Sequence, residues 1–391
     1  MKEIYITAST RTALAGFQGG FSSLSAPELG AAAIKSSIEK SGLSTDQIDE
    51  VYMGNVISAG LGQAPARQAS LLAGLDTSTP CTTVSKVCGS GMKAIMLGAD
   101  AILCGHADII VAGGMESMTN APYLLPKARE GYRIGHQSAK DSMFVDGLED
   151  ADSGRLMGEY GQQTADRFNV TREQMDDFAL ESLSRATLAT EQGFFKTEIT
   201  PITVKSRHGE TIVSNDEQVA TAKPEKVRSL KPAFKKDGTV TAANSSSISD
   251  GAASLVLMSK ASLNESGTNP EAKICAYASH AQVPEEFTLA PIGAIKKVLA
   301  KTGWSKDEVD LFEVNEAFAV VAIAAINELD LDHGKVNIHG GACAIGHPLG
   351  ASGARIVVTL IHALKRLGKK RGIASLCIGG GEATAIAIEL V

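Results

Sequence analysis

The chain has 391 residues, 44% of them hydrophobic and 5% aromatic, with a formal net charge of -7. That length and apolar content give a globular protein of two or three domains with ample core. The acidic balance, with no basic block beyond the glycine-interrupted stretch from Lys365 to Arg371, argues against nucleic acid or an anionic membrane as the main partner.

The 39 glycines imply many tight turns and close backbone approaches. Cys81, Cys88, Cys104, Cys275, Cys343 and Cys377 are scattered without CxxC spacing, so reduced thiols are expected and no metal site is. No apolar run reads as a membrane span, and Met1-Lys2-Glu3-Ile4-Tyr5-Ile6 opens as a strand rather than a targeting peptide. A cytoplasmic location is the expectation.

In chain order, residues 4–7 read as a strand, Thr10-Arg11-Thr12 as a turn, and Gly16, Gly19 and Gly20 as a loop. Pro27 opens a helix that runs to about Lys40 and stops at Gly42, with proline just inside the start and glycine just past the end. Residues 48–56 lead into a strand, 65–75 form a helix, and 107–112 form a strand ending at Gly113-Gly114. This alternation belongs to an α/β fold.

Ser85-Lys86-Val87-Cys88-Gly89-Ser90-Gly91-Met92 leads into apolar residues at helical spacing, which puts Cys88 at or just before a helix N-terminus. The partial positive charge there should lower the thiol pKa, and the small neighbours leave the sulfur open to a bulky acyl group. Those are the marks of a nucleophile. The plainer alternative is a small cysteine filling a strand-to-helix corner.

An internal repeat organises the whole. The stretch from Ala33-Ile34-Lys35 to Ile48-Asp49 returns, position for position, from Ala294-Ile295-Lys296 to Val309-Asp310. Ser90-Gly91 matches Ser352-Gly353, and the strand ending in Gly113-Gly114 matches the one ending in Gly379-Gly380-Gly381. Two copies of one unit can pack about a pseudo-two-fold axis and bring corresponding element ends to one site.

Residues 120–247 lose the repeat and turn polar, with a helix expected from Thr171 to about Gln192 and hairpin-like pieces around Arg207-His208-Gly209-Glu210. That is too long for a connector and reads as an inserted subdomain covering the site. Beyond it, Asn315-Glu316 follows an apolar strand, His347 sits in a glycine-rich loop leading into a helix, and Cys377 nears the end of a strand. Strand ends in open α/β sheets are where sites form. Singly, Asn315 is as good a helix cap, His347 a core histidine and Cys377 a packed strand residue; their joint occurrence is the signal.

With these residues in view, the chain resembles the thiolase family along essentially its whole length. The resemblance rests on Val87-Cys88-Gly89-Ser90-Gly91-Met92, Gly113-Gly114-Met115-Glu116-Ser117-Met118, Asn315-Glu316-Ala317-Phe318-Ala319, Gly346-His347-Pro348-Leu349-Gly350 and Cys377-Ile378-Gly379-Gly380-Gly381, in that order. It implies an α/β thiolase fold of two duplicated mixed-sheet halves, layered α-β-α-β-α, with an inserted loop domain. The implied boundaries are residues 1–119 plus 248–268 for the N-terminal half, 120–247 for the loop domain and 269–391 for the C-terminal half. A homotetramer built as a dimer of dimers is also implied.

The implied reaction is the reversible Claisen condensation of two acetyl-CoA to acetoacetyl-CoA and CoA through an acetyl-Cys88 intermediate. No cofactor or metal is implied, coenzyme A being substrate and product. Cys88 would carry the acyl group, His347 would activate it, and Cys377 would be the second acid–base group. The N–H groups of Cys88 and Gly379 would form one oxyanion hole, and His347 with a water held by Asn315 the other. Glu316 is a tempting base but equally an orienting group.

By the same resemblance, Leu148, Met157, Phe234, Ala242, Ser246, Ile248, Ala317 and Phe318 would line the pantetheine tunnel. Three positions depart from the short-chain biosynthetic pattern. Leu156 stands where that pattern has histidine, Ala220 where the motif begun by Asp216-Glu217 ends in arginine, and Phe287-Thr288 where many relatives have Met-Gly. Arg155, Lys223 or Arg228 are the candidates to replace the lost histidine and arginine contacts with CoA. Phe287 resembles the phenylalanine of mitochondrial acetoacetyl-CoA thiolases and favours short acyl chains. Two alternatives stay open: a degradative 3-ketoacyl-CoA thiolase of broader chain length, and a non-catalytic acyl-CoA or lipid carrier, which the intact set of Cys88, Asn315, His347 and Cys377 disfavours.

Overall fold

Strand and helix alternate in the same order twice. The first run is β1 (Ile4–Thr12), α1 (Ala26–Ser41), β2 (Glu50–Gly54), α2 (Pro65–Leu72), β3 (Cys81–Val84), α3 (Ser90–Cys104) and β4 (Ile109–Ser117). A long excursion carrying α4 (Met157–Arg167) and α5 (Arg172–Glu191) follows before β5 (Ser249–Ser259) closes the run. The second run is β6 (Ala272–Ala281), α6 (Ala290–Thr302), β7 (Leu311–Val314), α7 (Ala319–Leu329), α8 (Leu349–Leu367), β8 (Arg371–Ile378) and β9 (Glu382–Leu390). This computed structural model describes residues 3–207 and 209–391. Met1, Lys2 and His208, on which the expected opening strand and hairpin partly fall, lie outside the described residues.

The repeat is written in local chemistry. A Ser25–Glu28 capping box with Pro27 in the first turn starts α1, and Gly42 ends it in the left-handed region at φ 74°. Gly303 ends α6 in the same way at φ 73°. Capping boxes at Ser44–Gln47 and Ser305–Glu308 then precede β2 and β7. Each box satisfies backbone N–H groups that a short helical turn otherwise leaves open.

The sheet order is β7-β8-β9-β6-β1-β5-β4-β2-β3, a palindrome about the β6–β1 junction except for β3. In each half the inner strands are antiparallel and the outer pair parallel, as in β5–β4 against β4–β2 and β9–β8 against β8–β7. Among the described residues the strands of the two halves pair through Tyr5–Lys273 and Ile6–Ala272. The counterpart of β3 is a single bridge from Phe312 to Val336. Helices α3 and α8 lie against each other and against strands of both halves, while α1 packs on the outer face of one half and α6 on that of the other. The result is the layered α-β-α-β-α arrangement.

Several expectations need correction. Thr10-Arg11-Thr12 is not a turn: β1 runs through it. Arg11 is fully buried, its Nε 2.5 Å from Glu198 and its two Nη atoms 2.7 and 2.9 Å from Asp216. Gly113 and Gly114 lie inside β4, which continues to Ser117. The helix expected over 65–75 ends at Leu72, and α4 went unread. The segment Val87–Cys104 is long and apolar enough to cross a bilayer by composition alone; here it is the turn and central helix α3, more than half buried inside the protein.

The excursion leaves after Ser117 and returns at Ser249, and Ser117 is the β-partner of Asp250, so its two ends are neighbours. In the second run the same hairpin, β8 to β9, is closed by Gly379-Gly380-Gly381, with Gly380 and Gly381 at φ 88° and 86°. One copy keeps a three-glycine turn where the other carries more than a hundred residues.

Candidate active site

Cys88 lies in the turn between β3 and α3, two residues before the helix begins. Ser90 pins that turn, its hydroxyl accepting from Lys86 N–H at 2.8 Å and donating to Val87 C=O at 2.6 Å. Between them Val87 is held at φ 43°, a left-handed conformation that a β-branched residue adopts only under constraint. Across from it, the Gly379 N–H and the N–H of Cys88 itself reach the Cys88 sulfur.

The expected lowering of this thiol pKa is not what results. Cys88 keeps an edge on a cavity, yet its sulfur is so closely surrounded that burial outweighs both N–H donors and pushes the thiol up to about 11. It rests as a protonated thiol, so its activation needs a base at hand.

His347 sits just before α8. Its Nδ1 is 2.6 Å from the Ser352 hydroxyl, which donates its one proton to Pro348 C=O at 2.9 Å. The hydroxyl can therefore only accept from the ring, which places the imidazole proton on Nδ1 and leaves Nε2 bare. Nε2 is buried and has no partner among the described residues. Burial first, and the Arg355 charge second, push the histidine down to about 3, so it is neutral.

Cys377, near the end of β8, is completely buried. Burial, and then the nearby Cys88, push its thiol well above the ordinary value. Asn315 follows β7, its N–H donating to Ser375 C=O at 3.0 Å. Its Oδ1 accepts from Arg355 Nη2 at 3.2 Å, and its buried Nδ2 has no partner among the described residues.

A fully buried carboxylate that sequence reading passed over ties these loops together. Glu116 accepts from Gly350 N–H and Asn55 Nδ2 at 2.8 Å each, from Val56 N–H at 3.1 Å and from Ile57 N–H at 3.2 Å. Burial raises its pKa to about 7 against the pull of the backbone donors. The glycines before it are required by packing: a Cβ on Gly114 would stand 2.0 Å from Gly350 O, and one on Gly113 2.1 Å from Ala253 O. Glu316, by contrast, is taken up by Ser182, Asn337 and the Cys343 N–H at 2.7, 2.8 and 3.1 Å. It ties α5 to the second half and is absent from the cavity wall.

The cavity measures about 360 Å³ and is mainly apolar. Cys88, His347 and Gly379 line it, whereas Cys377 and Asn315 are buried and absent from its wall. All eight residues expected along a pantetheine tunnel are on its wall, namely Leu148, Met157, Phe234, Ala242, Ser246, Ile248, Ala317 and Phe318. So are Leu156 and Phe287, two of the departing positions. Phe318 meets Phe234 and Phe287 edge-on, with ring centroids 6.1 and 6.4 Å apart. Residues missed in the sequence include Met118, Phe144, Ser245 and Leu349. No spacing signal marks them; only the fold brings them here.

Of the three substitute cations, Arg155 pairs with Glu159 at 3.2 Å and lies over the Tyr160 ring, and Arg228 pairs with Asp177. Lys223, with Lys226, lines a second cavity that shares Ala242, Ser245 and Ser247 with the first. Asp216 and Glu217 hold the amino-terminal loop, through Arg11 and through the N–H groups of Gly16 and Gly20. Among the described residues no group of three or more His, Cys, Asp or Glu side chains is placed to hold a metal ion.

Comparison with known families matches residues 4–261 to the thiolase N-terminal domain and 268–390 to the thiolase C-terminal domain. An acetyl-CoA acetyltransferase of Pseudomonas aeruginosa is 48% identical over 390 residues, covering 99% of each chain. The mitochondrial acetyl-CoA acetyltransferase of Mus musculus is 47% identical over 391 residues, covering all of this chain and 91% of its own. Among solved structures, the Acat5 thiolase of Ascaris suum in complex with coenzyme A is 44% identical, with a TM-score of 0.95 and full coverage of both chains. The repeat, the hairpin insertion and the placement of Cys88 beside His347 and Cys377 agree with these matches, and the chain belongs to the thiolase family.

Proposed function

We propose that this protein is an acetyl-CoA C-acetyltransferase that interconverts two acetyl-CoA with acetoacetyl-CoA and CoA. The observation that carries the reading is a thiol and a bare imidazole nitrogen on the wall of one apolar cavity, with the Gly379 N–H already on the sulfur.

In the condensing direction, His347 Nε2 takes the Cys88 proton as the sulfur attacks the carbonyl carbon of acetyl-CoA. The carbonyl oxygen gathers charge that the Cys88 and Gly379 N–H groups meet, each such donor being worth roughly 3 to 4 kcal/mol in the transition state. The carbon–sulfur bond to CoA breaks, the proton passes from His347 to the CoA sulfur, and acetyl-Cys88 remains. With the first CoA gone, His347 takes the proton that burial keeps on Cys377, to hand it on to the Cys88 sulfur when that is expelled, and the Cys377 thiolate removes a proton from the methyl carbon of a second acetyl-CoA. The enolate oxygen is met by His347 and by a water held on Asn315 Nδ2, and its carbon attacks acetyl-Cys88, expelling the Cys88 sulfur. Thiolysis runs the same steps backward. Its carbanion then takes a proton from Cys377, the form in which burial holds that thiol.

The apolar wall suits a pantetheine arm, and the adenosine phosphates are assigned to the side carrying Lys223 and Lys226. Phe287 crowds the acyl end and restricts it to short chains. No cofactor or metal enters the scheme. A cytoplasmic homotetramer is part of the proposal.

The test is labelling and turnover together. Labelled acetyl-CoA is expected to mark Cys88 in the wild type and in Cys377→Ala, and not in Cys88→Ala; thiolysis is expected to be lost in both variants. Unlabelled Cys88 in the wild type would overturn the reading. Comparable thiolysis of acetoacetyl-CoA and longer 3-ketoacyl-CoA substrates would favour a degradative enzyme instead.

A further inference from the structure

Helix α8 holds two site residues by the same device. From one turn, Ser352 fixes the ring of His347, and three residues later, on the same face, Arg355 reaches Asn315. In each case the contact occupies one end of the functional group and leaves the other, His347 Nε2 or Asn315 Nδ2, buried and without a partner among the described residues.

The Arg355 contact is chemically one-sided. A guanidinium only donates, so it can face the oxygen of an amide and never its nitrogen. Asn315 is 1% exposed and Arg355 is 1% exposed, so no bulk water competes for that oxygen. Arg355 is itself held from the end of β7: Glu313, two residues before Asn315, lies 3.5 Å from Nη1.

We propose that Arg355 is a positioning residue that sets the orientation of the Asn315 amide, so that Nδ2 is the end presented to the substrate side. This rests on the proposed function, in which Asn315 serves the carbon–carbon step and not the acetylation of Cys88. Loss of Arg355 frees the amide to rotate and present its oxygen, which repels an enolate. Misplacing one reacting group in this way can cost on the order of 100-fold.

The experiment compares wild type, Arg355→Met, Asn315→Ala and the double variant, measuring thiolysis kcat, KM and Cys88 labelling by acetyl-CoA. Arg355→Met is expected to lower kcat at least about tenfold, with KM and labelling within about twofold of wild type. The double variant is expected to be no slower than Asn315→Ala alone, because the amide carries the loss of turnover, while the effect of the Arg355 charge on His347 is read separately in the Cys88 labelling. Arg355→Lys keeps the charge beside Glu313 and serves if the methionine variant does not fold. Its loss of kcat is expected to vanish when Asn315 is already alanine.

Multiplying losses in the double variant, or labelling that falls as far as turnover, would overturn the proposal while wild-type labelling leaves the functional reading standing. Failure to label wild-type Cys88 would remove both.

Discussion

At Cys88 two influences oppose each other, amide N–H groups that favour a thiolate and close surroundings that forbid one, and the surroundings prevail. Alkylation of the free enzyme by iodoacetamide is therefore expected to quicken by about tenfold per pH unit between pH 7 and 9.5, following the thiolate fraction. A rate already level above pH 7 would mean a standing thiolate. That Cys88 and His347 reach one cavity was foreshadowed in the sequence, because a cysteine before a small-residue helix and a histidine in a glycine-rich loop stand out by their identity. Glu116, Ser352 and Arg355 were not. Their roles lie in partners that only the fold supplies, as when Glu116 meets the Gly350 N–H from the other half of the chain.

Among elements, the sequence marked helix ends well and strand ends poorly. Capping boxes and terminal glycines are local, so the ends of α1 and α6 could be read from a few residues. The course of β1 through Thr10-Arg11-Thr12 depends on acids nearly two hundred residues away, and a polar triplet with no visible partner looks like a turn. Gly113-Gly114 was mistaken for a strand end for a related reason: its glycines answer to backbone packed against them. Gly114→Ala forces a methyl group into Gly350 O, three residues from His347. It is expected to cost about 1 to 3 kcal/mol or more in stability and to lower kcat, as melting and thiolysis measured together would reveal. Unchanged turnover with a lowered melting temperature would uncouple that strand from the histidine loop.

For the molecule as a whole, duplication and insertion were legible because they repeat or interrupt a pattern over long stretches, whereas the joint between excursion and sheet was not. Arg11, paired with Glu198 and Asp216 of the excursion, supplies that joint. Arg11→Met strands two buried carboxylates and is expected to lower unfolding free energy by about 3 to 5 kcal/mol in urea titration. Buried titratable groups also shape the pH response. Burial pushes His339, His347 and His362 down to about 4, 3 and 4. Below pH 6.5 the unfolded chain binds protons that the native state refuses, so stability is full above 6.5 and drains as the pH falls toward those values.

Glu116 and Glu313 run the opposite way. Burial raises them to about 7 and about 8, so the stability they contribute is present below about 4.5 and is lost as the pH rises through those values. Urea midpoints at pH 5, 6.5 and 8 are expected to peak near 6.5, and Glu313→Gln is expected to soften the alkaline fall. A midpoint still climbing at pH 8 would contradict this balance.

Because Ser117 and Asp250 sit side by side at the root of the excursion, the chain enters and leaves the roof over the reaction chamber at one place. Exchange of one roof for another, by recombination or by an engineer, has two adjacent backbone seams to heal in a strand pair that the floor already stabilises, and the newcomer must also bring carboxylates for Arg11. Cargo preference can thus wander between relatives while the sulfur and imidazole beneath stay where they are.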